Sequence, residues 1–361
     1  MADTLAAVVT NFNERVELQK IPLPEPEPSG VFAKVDVATL CGTDAHNWTG
    51  EGIPASELPY IPGHETVGIV EEIAGSRLDI MGEPVRPGDR IISTYPHCGH
   101  CYFCTVAQQP NLCVNAYSFG RQNPKRLLGG CAEMHYYPAA TDLIKVPEEV
   151  PSPLAASAAC ALRTVIHAYE RLGPINSADT VLIQGSGPLG LYATAIAKDR
   201  GARKVLVIGA PEERLNVALE WGADSVCNLD LVTDPAQRKE WVLEHTSGIG
   251  ADVVVQVAVS SATPEGIELA RRGGRLAAVG AGHGEISIPG RIITMKTLTI
   301  VGVFGTISRH FNQALHFLAT RKNQFPFEKL LSNTYTLNEV DAALKAMSEF
   351  KEIKPIVLPK I

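Results

Sequence analysis

Cysteine and histidine residues that could bind a metal occur in two short runs near the start of the sequence. Cys41 opens the run Cys-Gly-Thr-Asp-Ala-His, and His64 is central in the run Gly-His-Glu. Thiolate sulfur and imidazole nitrogen are good zinc ligands, and a catalytic zinc typically has three protein ligands and one open position. We expect the third ligand to be Cys160, in an alanine-rich segment. Each residue alone is more typical of a core or a turn, but together they predict a catalytic zinc site.

A second group of cysteines predicts a structural zinc site. Cys98, Cys101 and Cys104 are spaced by two residues each, and Cys113 follows further along the chain. Four thiolates satisfy a closed tetrahedral site, which leaves no coordination position for a substrate. Such crowding in a cytosolic protein favours a metal over disulfides. The alternative is a loop with free thiols.

A glycine-rich segment predicts a dinucleotide-binding loop. The apolar run Val181–Gln184 leads directly into Gly-Ser-Gly-Pro-Leu-Gly, and a helical pattern follows. In a strand–turn–helix unit, the three glycines permit a tight turn, close approach of a pyrophosphate and close helix–sheet packing. The helix N-terminus offers free N–H groups to phosphate. The predicted cofactor contacts are Gly185, Gly187, Pro188, Leu189 and Gly190.

The second strand of this unit bears on the choice of cofactor. An acidic residue about 20 residues after the glycines usually holds the ribose hydroxyls, but Gly209 occupies that position. No arginine follows immediately to attract a 2′-phosphate, and Glu212 or Arg214 could contact the ribose instead. The sequence therefore favours NAD over NADP.

The elements that must position these residues fall into two classes. The first part of the chain is rich in strand patterns, with alternation at Val31–Val37 and turns at Pro-Gly pairs, which predicts an antiparallel barrel or sandwich. Leu154–Leu172 predicts an alanine-rich helix. After it, strand and helix patterns alternate, which predicts a parallel sheet. The predicted units are Val181–Gln184, Leu189–Arg200, Lys204–Ile208, Glu212–Trp221, Val253–Val257, Pro264–Arg271 and Arg275–Val279.

Composition and charge exclude several function classes. A chain of 361 residues predicts about two domains. The formal net charge of −7 disfavours a nucleic-acid or anionic-membrane binder. No apolar run is long enough for a membrane span, and from the pattern of the first ten residues we expect no signal peptide. We expect a cytoplasmic protein without nucleic-acid or membrane partners.

These motifs, in this order, resemble the zinc-containing medium-chain dehydrogenases, the superfamily of alcohol, sorbitol and threonine dehydrogenases. The resemblance covers essentially the whole chain. It implies an α/β protein with a GroES-like β-barrel catalytic domain and a Rossmann domain with a doubly wound parallel sheet. The catalytic domain would span residues 1–152 and be completed by 305–361. The dinucleotide-binding domain would span 153–304.

The resemblance also assigns roles around the metal. Cys41, His64 and Cys160 would hold the catalytic zinc, and Glu65 occupies the place of an occasional fourth ligand. Asp44 would accept a hydrogen bond from His64 and fix its tautomer. Thr43 and His46 match a proton relay that works through the nicotinamide ribose.

Further positions match cofactor contacts of the family. Thr164 lies one helical turn beyond Cys160, near the nicotinamide. Lys354 resembles a basic residue that contacts the pyrophosphate, with a solvated surface lysine as the alternative. The residues expected to face the carboxamide are Val279, Gly302 and Val303.

The chain departs from the family pattern at three positions. The spacing from Cys104 to Cys113 is one residue longer than usual, so Cys113 is the least secure structural ligand. Position 160 varies in the family between cysteine and glutamate. Gly209 replaces the common acidic residue.

The expected reaction is hydride transfer between NAD(P) and an alcohol or ketone. Segments that line the family's pocket contain Trp48, Thr94, Tyr95 and Phe119, and these predict a secondary alcohol that is cyclic or otherwise bulky. The alternative is that these residues belong to the core. A polyol dehydrogenase of the sorbitol type is the alternative activity.

Two rivals come from other classes. One is a zinc-independent quinone or enone reductase, and the other is a non-enzymatic protein that binds zinc and a nucleotide. The metal ligands and relay residues argue against both. Family members are homodimers or homotetramers, often paired through an edge strand, and Ile286–Ile300 would supply that edge here.

Overall fold

The computed structural model describes residues 3–116, 123–280, 282 and 285–361. Over these residues the strands are β1 (Asp3–Val8), β2 (Glu17–Pro22), β3 (Val31–Thr39), β4 (Glu65–Ile73), β5 (Arg90–Ser93), β6 (Met134–Tyr137), β7 (Leu143–Lys145), β8 (Thr180–Gln184), β9 (Lys204–Gly209), β10 (Ser225–Asn228), β11 (Ala251–Gln256), β12 (Ala270–Ala278), β13 (Thr299–Gly302), β14 (Thr334–Tyr335) and β15 (Ile356–Val357).

The α-helices follow in the same chain order. They are α1 (Gly42–Thr49), α2 (Tyr102–Thr105), α3 (Ser152–Ser157), α4 (Arg163–Leu172), α5 (Pro188–Asp199), α6 (Glu212–Glu220), α7 (Pro235–His245), α8 (Thr263–Leu269), α9 (Gly290–Lys296), α10 (Ser308–Arg321) and α11 (Val340–Ser348). A single π-helical turn covers Ala158–Leu162. Short 3-10 helices cover Ala55–Glu57, Pro110–Leu112, Pro124–Arg126, Ser260–Ala262, Phe327–Leu330 and Leu337–Glu339.

The chain divides into two compact units. Unit 1 contains Met1–Arg163, Gly305–Lys322 and Phe327–Ile361. Unit 2 contains Thr164–Phe304 and Asn323–Pro326. The metal-ligand motifs of the sequence therefore lie in unit 1, and the glycine-rich loop lies in unit 2.

Unit 1 contains a mostly antiparallel sheet in which β3 has a central place. The strand order is β14-β15-β3-β4-β5-β7, and β6 also pairs with β3. The alternation predicted at Val31–Val37 appears as a strand in which Val31, Ala33, Val35 and Val37 are buried and Lys34 is exposed. Because β15 pairs with the end of β3, the last segment of the chain is attached beside the residues that lead to Cys41.

Unit 2 is a parallel sheet with the strand order β10-β9-β8-β11-β12-β13. All five strand pairs are parallel. Numbered within the unit, this is the order 3-2-1-4-5-6 of a doubly wound dinucleotide-binding fold. β8 is buried along its whole length, as expected of a strand covered on both faces. The fold class implied by the resemblance is confirmed by this arrangement.

The helix predicted over Leu154–Leu172 is interrupted. α3 ends at Ser157 and α4 begins at Arg163, with the π-helical turn between them. Such turns are rare and frequently mark functional sites. Cys160 lies in the middle of this turn.

The sequence patterns did not assign four elements of unit 2. These are β10, α7, α9 and β13. β10 has only four residues, Ser-Val-Cys-Asn, and α9 exposes much of its surface, so neither shows a clear hydrophobic period.

Among the described residues, no helix has the length and apolar character needed to cross a membrane.

Candidate active site

Four potential metal ligands of unit 1 converge on one place. Ligand atoms of Cys41, His64, Glu65 and Cys160 all lie within 4.8 Å of one another. The Sγ atom of Cys41 is 3.3 Å from Nε2 of His64. Residues separated by more than one hundred positions in the sequence are thus brought to a common point, as the zinc prediction requires.

Two neighbouring strands and one helical turn position these ligands. Cys41 follows the end of β3 and caps the start of α1. His64 lies directly before β4, and Thr39 of β3 pairs with Glu65 of β4. Gly63, just before His64, has φ of +85° and its Cβ would lie 2.9 Å from the Cys131 Sγ, so a larger residue is disfavoured there.

Asp44 fixes two of the ligands at once. Its Oδ2 atom accepts a hydrogen bond from the backbone N–H of Cys41 at 3.0 Å. Its Oδ1 atom accepts from the backbone N–H of Gly63 at 3.1 Å and lies 3.1 Å from Nδ1 of His64. With Nδ1 bound to a carboxylate, Nε2 of His64 is the nitrogen that faces Cys41, and it is left to coordinate a metal.

The electrostatics of the cluster favour a thiolate at Cys41. The pKa of Cys41 lies well below its usual value, because it accepts a hydrogen bond from Cys160 and lies beside His64. The pKa of Cys160 is raised by that same hydrogen bond and by burial. Burial acts to lower the pKa of His64, but Asp44 and Cys41 raise it well above its usual value.

Lys354 lies in this site, and the alternative of a solvated surface lysine is wrong. Its side chain is 0% exposed, and its Nζ atom is 2.7 Å from each carboxylate oxygen of Glu65. Burial acts to lower the pKa of Lys354, but the Glu65 carboxylate raises it above its usual range. Thr39 also donates a hydrogen bond to Glu65. The expected pyrophosphate contact of Lys354 stays a prediction.

The donor set fits zinc. Two sulfurs and one imidazole nitrogen are the ligand types found in one class of catalytic zinc site, and the Glu65 carboxylate adds a potential oxygen ligand. The orienting bond from Asp44 to His64 is also typical of zinc sites. The cluster can therefore hold a cation with three or four protein ligands.

The two predicted relay residues lie on α1, at exposed positions. Thr43 and His46 are both exposed. Nδ1 of His46 is 2.9 Å from Oε2 of Glu51, and both side chains are more than half exposed. The structure thus gives His46 a carboxylate partner that the sequence analysis did not anticipate.

The predicted pocket residues are placed differently from one another. Thr94 and Tyr95 line a cavity to which His64 also contributes. Trp48 instead packs in the hydrophobic core of unit 1 and donates from Nε1 to the Glu14 carbonyl, so the structure supports the core alternative for this ring. Its indole bridges α1 to the N-terminal segment. Phe119 lies outside the described residues.

The four cysteines of the predicted structural zinc site form a second cluster. The sulfurs of Cys101 and Cys104 are 3.5 Å apart, as are those of Cys98 and Cys113. Cys113 is also 3.9 Å from Cys101 between sulfurs. Despite the longer spacing before it, Cys113 reaches the cluster, because a 3-10 turn over Pro110–Leu112 ends directly at it. A backbone hydrogen bond from His100 lowers the pKa of Cys98 to about 5.

The glycine-rich loop of unit 2 has the geometry expected of a phosphate cradle. Gly185 has φ of +114°. Gly187 caps α5, whose first residue is Pro188, and an added Cβ at Gly187 would meet nothing within 4 Å. An added Cβ at Gly190 would lie 1.8 Å from the Gly185 carbonyl oxygen. Leu189 belongs to the first turn of α5.

The structure explains the glycine at position 209. A Cβ there would lie 2.5 Å from Oγ and 2.6 Å from Cβ of Ser186. Ser186 in turn donates a hydrogen bond from Oγ to the Ala210 carbonyl. The serine of the glycine-rich loop thus occupies the space that an acidic side chain would need. Arg214, on α6, is buried, and burial lowers its pKa.

The other predicted cofactor contacts all belong to unit 2. Thr164 follows the first residue of α4 and is half-buried. Gly302 ends β13 and is exposed. Val279 and Val303 each follow the end of a strand, β12 and β13 respectively, and are half-buried. Their contacts to a nicotinamide stay predictions.

Sequence reasoning missed Arg163 and did not foresee the burial of Lys354. That burial could not be read from a run with polar neighbours. Arg163 is also buried, and its guanidinium lies 3.1 Å from the Tyr95 hydroxyl. An arginine inside an alanine-rich apolar segment was the signal that could have drawn attention to it.

Two family models match the chain. The model described as an alcohol dehydrogenase GroES-like domain matches residues 27–148. The model described as a zinc-binding dehydrogenase matches residues 188–320.

Named relatives cover nearly the whole chain. The 5-exo-hydroxycamphor dehydrogenase of Pseudomonas putida is 31% identical over 357 residues, covering 98% of both chains. The sorbitol dehydrogenase of Halalkalibacterium halodurans is 31% identical over 353 residues, covering 95% of both. Among solved structures, an alcohol dehydrogenase from Thermotoga maritima has a TM-score of 0.91 and 30% identity, covering 100% of both chains.

Proposed function

The chain belongs to the superfamily of zinc-containing medium-chain dehydrogenases, and we propose that it interconverts a secondary alcohol and a ketone with a nicotinamide dinucleotide as hydride carrier. The named relatives are dehydrogenases, so the chain is an oxidoreductase. The observation that carries the proposal is the convergence of Cys41, His64 and Cys160 on one point. A member without metal chemistry would have no use for this buried donor set.

Cys41, His64 and Cys160 would hold the catalytic zinc, with Glu65 as a possible fourth ligand. Bound there, the metal would supply Lewis acidity toward the oxygen of the alcohol. Asp44 orients His64 and the Cys41 backbone, and Lys354 compensates the buried charge of Glu65. The four-cysteine cluster would hold a second, structural zinc.

Thr43 and His46 would move the proton that the alcohol loses. The Thr43 hydroxyl can accept and donate a proton in the same step, and the exposed ring of His46 can pass one on to water. Glu51 would hold Nδ1 of His46 and leave Nε2 to receive the proton. Removing the imidazole by His46→Ala should slow turnover and alter its pH profile, whereas an unchanged profile would remove His46 from the relay.

The loop Gly185–Gly190 would receive the pyrophosphate of the cofactor in unit 2. The cofactor supplies the hydride chemistry, and the protein supplies binding and orientation. We favour NAD, because no arginine directly follows Gly209 to bind a 2′-phosphate. Titration with NADH and NADPH, followed by fluorescence, tests this preference, and tighter binding of NADPH would reverse it.

Two substrate classes are supported by the relatives. A secondary alcohol, including a cyclic one, matches the name of the hydroxycamphor relative and the aromatic ring of Tyr95 beside His64. A polyol is the second candidate, because another relative is named for sorbitol. We propose the secondary alcohol as the first choice.

A panel of alcohols incubated with NAD or NADP, read by absorbance of the reduced cofactor, tests the function. We expect turnover of cyclic secondary alcohols in the zinc-loaded protein and none in Cys41→Ser. Cys227→Ser, in the core of unit 2, is the matched control and should keep full activity. Full activity in a Cys41→Ser protein shown to lack metal at this site would refute the proposal.

Metal analysis addresses the rival reading of a zinc-independent quinone or enone reductase. That rival requires no metal at Cys41, His64 and Cys160, so zinc bound by wild type and lost in Cys41→Ser argues against it.

We further propose a cytoplasmic homodimer or homotetramer. Eight cysteines without disulfides suit a reducing compartment.

A further inference from the structure

Arg163 carries a buried charge in unit 1 that the proposed function has not yet used. Arg163 is only 3% exposed to solvent. It donates hydrogen bonds to the carbonyl of Ala159, to Oγ1 of Thr306 and to the hydroxyl of Tyr95, the last at 3.1 Å. Within the part of the chain that the structure describes, no carboxylate forms an ion pair with this guanidinium.

A buried cation held only by neutral groups is costly. An ion taken from water is usually paired with an opposite charge, and here two aromatic rings take the place of a counter-charge. The guanidinium carbon lies 4.6 Å from the centre of the Phe311 ring and 5.3 Å from that of Tyr95. Such contacts offset part of the cost. An apolar side chain could fill this place without the free-energy cost of burying a charge. We therefore expect the arginine to have a function.

The hydrogen bond to Tyr95 connects Arg163 with the candidate metal site. Tyr95 lines the same cavity as His64 and Thr94. A tyrosine phenol has an ordinary pKa of about 10, so it keeps its proton at neutral pH and can act as a hydrogen-bond donor.

The direction of the bond is fixed by chemistry. A guanidinium has N–H donors only and no acceptor, so Arg163 donates and the phenolic oxygen of Tyr95 accepts. Since Arg163 offers no acceptor, the hydroxyl proton of Tyr95 is directed at a group other than Arg163.

We propose that Arg163 is a positioning residue, which orients the Tyr95 hydroxyl so that it donates a hydrogen bond to the reacting oxygen of a substrate bound beside His64. This inference rests on the proposed dehydrogenase function and adds a second donor to it. A donor aimed at an oxygen that gains negative charge during the reaction stabilises the transition state more than the ground state. The expected effect is therefore on kcat more than on KM.

A double-mutant cycle separates this role from a merely structural one. With cyclohexanol as the probe, Tyr95→Phe and Arg163→Met should each lower kcat about tenfold or more, with a smaller change in KM. If Arg163 acts through Tyr95, the double variant should be no slower than Tyr95→Phe. An additive loss, or unchanged kcat in Tyr95→Phe, would overturn the proposal.

Arg90 offers a matched control in unit 1. It also binds neutral oxygens, the carbonyls of Val150 and Pro147 and the hydroxyl of Ser152. Arg90→Met should reduce thermal stability without a selective effect on kcat. If Arg163→Met does not fold, Arg163→Lys replaces it, because lysine keeps the positive charge but lacks the planar set of guanidinium N–H donors. The loss of kcat in Arg163→Lys should likewise disappear when Tyr95 is already phenylalanine.

A spectroscopic readout tests the contact without turnover. In protein labelled with ¹³Cζ-tyrosine, the Tyr95 signal is assigned by its loss in Tyr95→Phe. It should shift in Arg163→Lys and not in Arg90→Met, and an unchanged signal would contradict the orienting contact. If wild type oxidises no alcohol at all, the proposed function fails and this inference with it. If wild type is active but the Tyr95 signal or the cycle fails, only the inference falls.

Discussion

At the scale of single residues, Asp44 shows how the site is held together. One carboxylate accepts hydrogen bonds from the backbones of Cys41 and Gly63 and from the ring of His64. The two proposed ligands, Cys41 and His64, are thereby fixed relative to each other. Bonds of this kind to charged groups contribute about 1.5–3 kcal/mol each. Asp44 therefore contributes to stability, and under the zinc proposal it also contributes to metal affinity.

His135 gives a prediction for acid stability. It is buried, it stacks on Tyr137 with ring centres 4.3 Å apart, and burial lowers its pKa to about 3. An unfolded histidine has a pKa of about 6.5. Below that pH the unfolded chain binds a proton that the folded protein does not. The stability is therefore fully present above pH 6.5 and is lost as the pH falls toward 3.

Denaturant unfolding at pH 7 and pH 5 measures this effect. Between these values wild type should lose about 2 kcal/mol more stability than His135→Gln, since each pH unit below 6.5 costs about 1.4 kcal/mol. His316→Gln, at an exposed position of α10, is the control and should behave as wild type. Equal losses in wild type and His135→Gln would contradict the prediction.

The residues that sequence reasoning placed well are those whose types occur in specific combinations. Cys41, His64 and Cys160 were grouped because thiol and imidazole groups rarely serve another purpose together, and the structure brings them together. Lys354 could not be placed, because its burial depends on β15 pairing with β3, a long-range contact. Trp48 was ambiguous because an aromatic ring suits a core and a pocket equally.

At the scale of elements, the π-helical turn at Ala158–Leu162 positions Cys160, the proposed third ligand. A continuous helix was predicted, and its periodicity alone could not reveal one inserted residue. The π-helical turn separates α3 from α4 and contains Cys160. Likewise, the 3-10 turn over Pro110–Leu112 accommodates the longer spacing before Cys113. Long strands and helices were predictable, but these irregular turns were not.

The glycine-rich loop gives a prediction at this scale. An alanine at Gly187 meets no protein atom, so Gly187→Ala should leave the melting temperature unchanged. Its methyl group should hinder the approach of a pyrophosphate and weaken NADH binding about tenfold or more. By contrast, Gly190→Ala forces a Cβ to within 1.8 Å of the Gly185 carbonyl oxygen.

Thermal unfolding and NADH titration distinguish the two variants. Gly190→Ala should unfold at a lower temperature, because the contact between α5 and the loop must shift. Zinc content should be unchanged in both, since the ligands lie in unit 1. NADH binding by Gly187→Ala at the wild-type level would show that the loop does not hold the pyrophosphate.

At the scale of the whole molecule, the sequence predicted a fold class more securely than an assembly. The alternation of strands and helices indicated a parallel sheet, and the resemblance implied that it is doubly wound, but the strand order 3-2-1-4-5-6 came from the structure. The boundaries predicted at 152/153 and 304/305 stay predictions. Oligomeric state depends on surface shape, which a single sequence does not reveal.

The edge of the unit 2 sheet leads to the prediction of an oligomer. Among the described strands, β13 pairs with β12 alone, and an exposed edge is a template for pairing with another chain. Light scattering should give a mass of about two or four times the 38.7 kDa of one chain. Met295→Asp, on exposed α9 just before β13, should lower that mass, and Met81→Asp, exposed in unit 1, should not. A wild-type monomer would contradict the prediction.

The central claim is that distant thiol and imidazole groups of unit 1 hold one zinc ion. Anomalous X-ray diffraction at the zinc absorption edge, on crystals of the zinc-loaded protein, tests it most directly. The account predicts an anomalous peak about 2.3 Å from the sulfurs of Cys41 and Cys160 and about 2.0 Å from Nε2 of His64. A peak confined to the four-cysteine cluster, with none at these three residues, would contradict it.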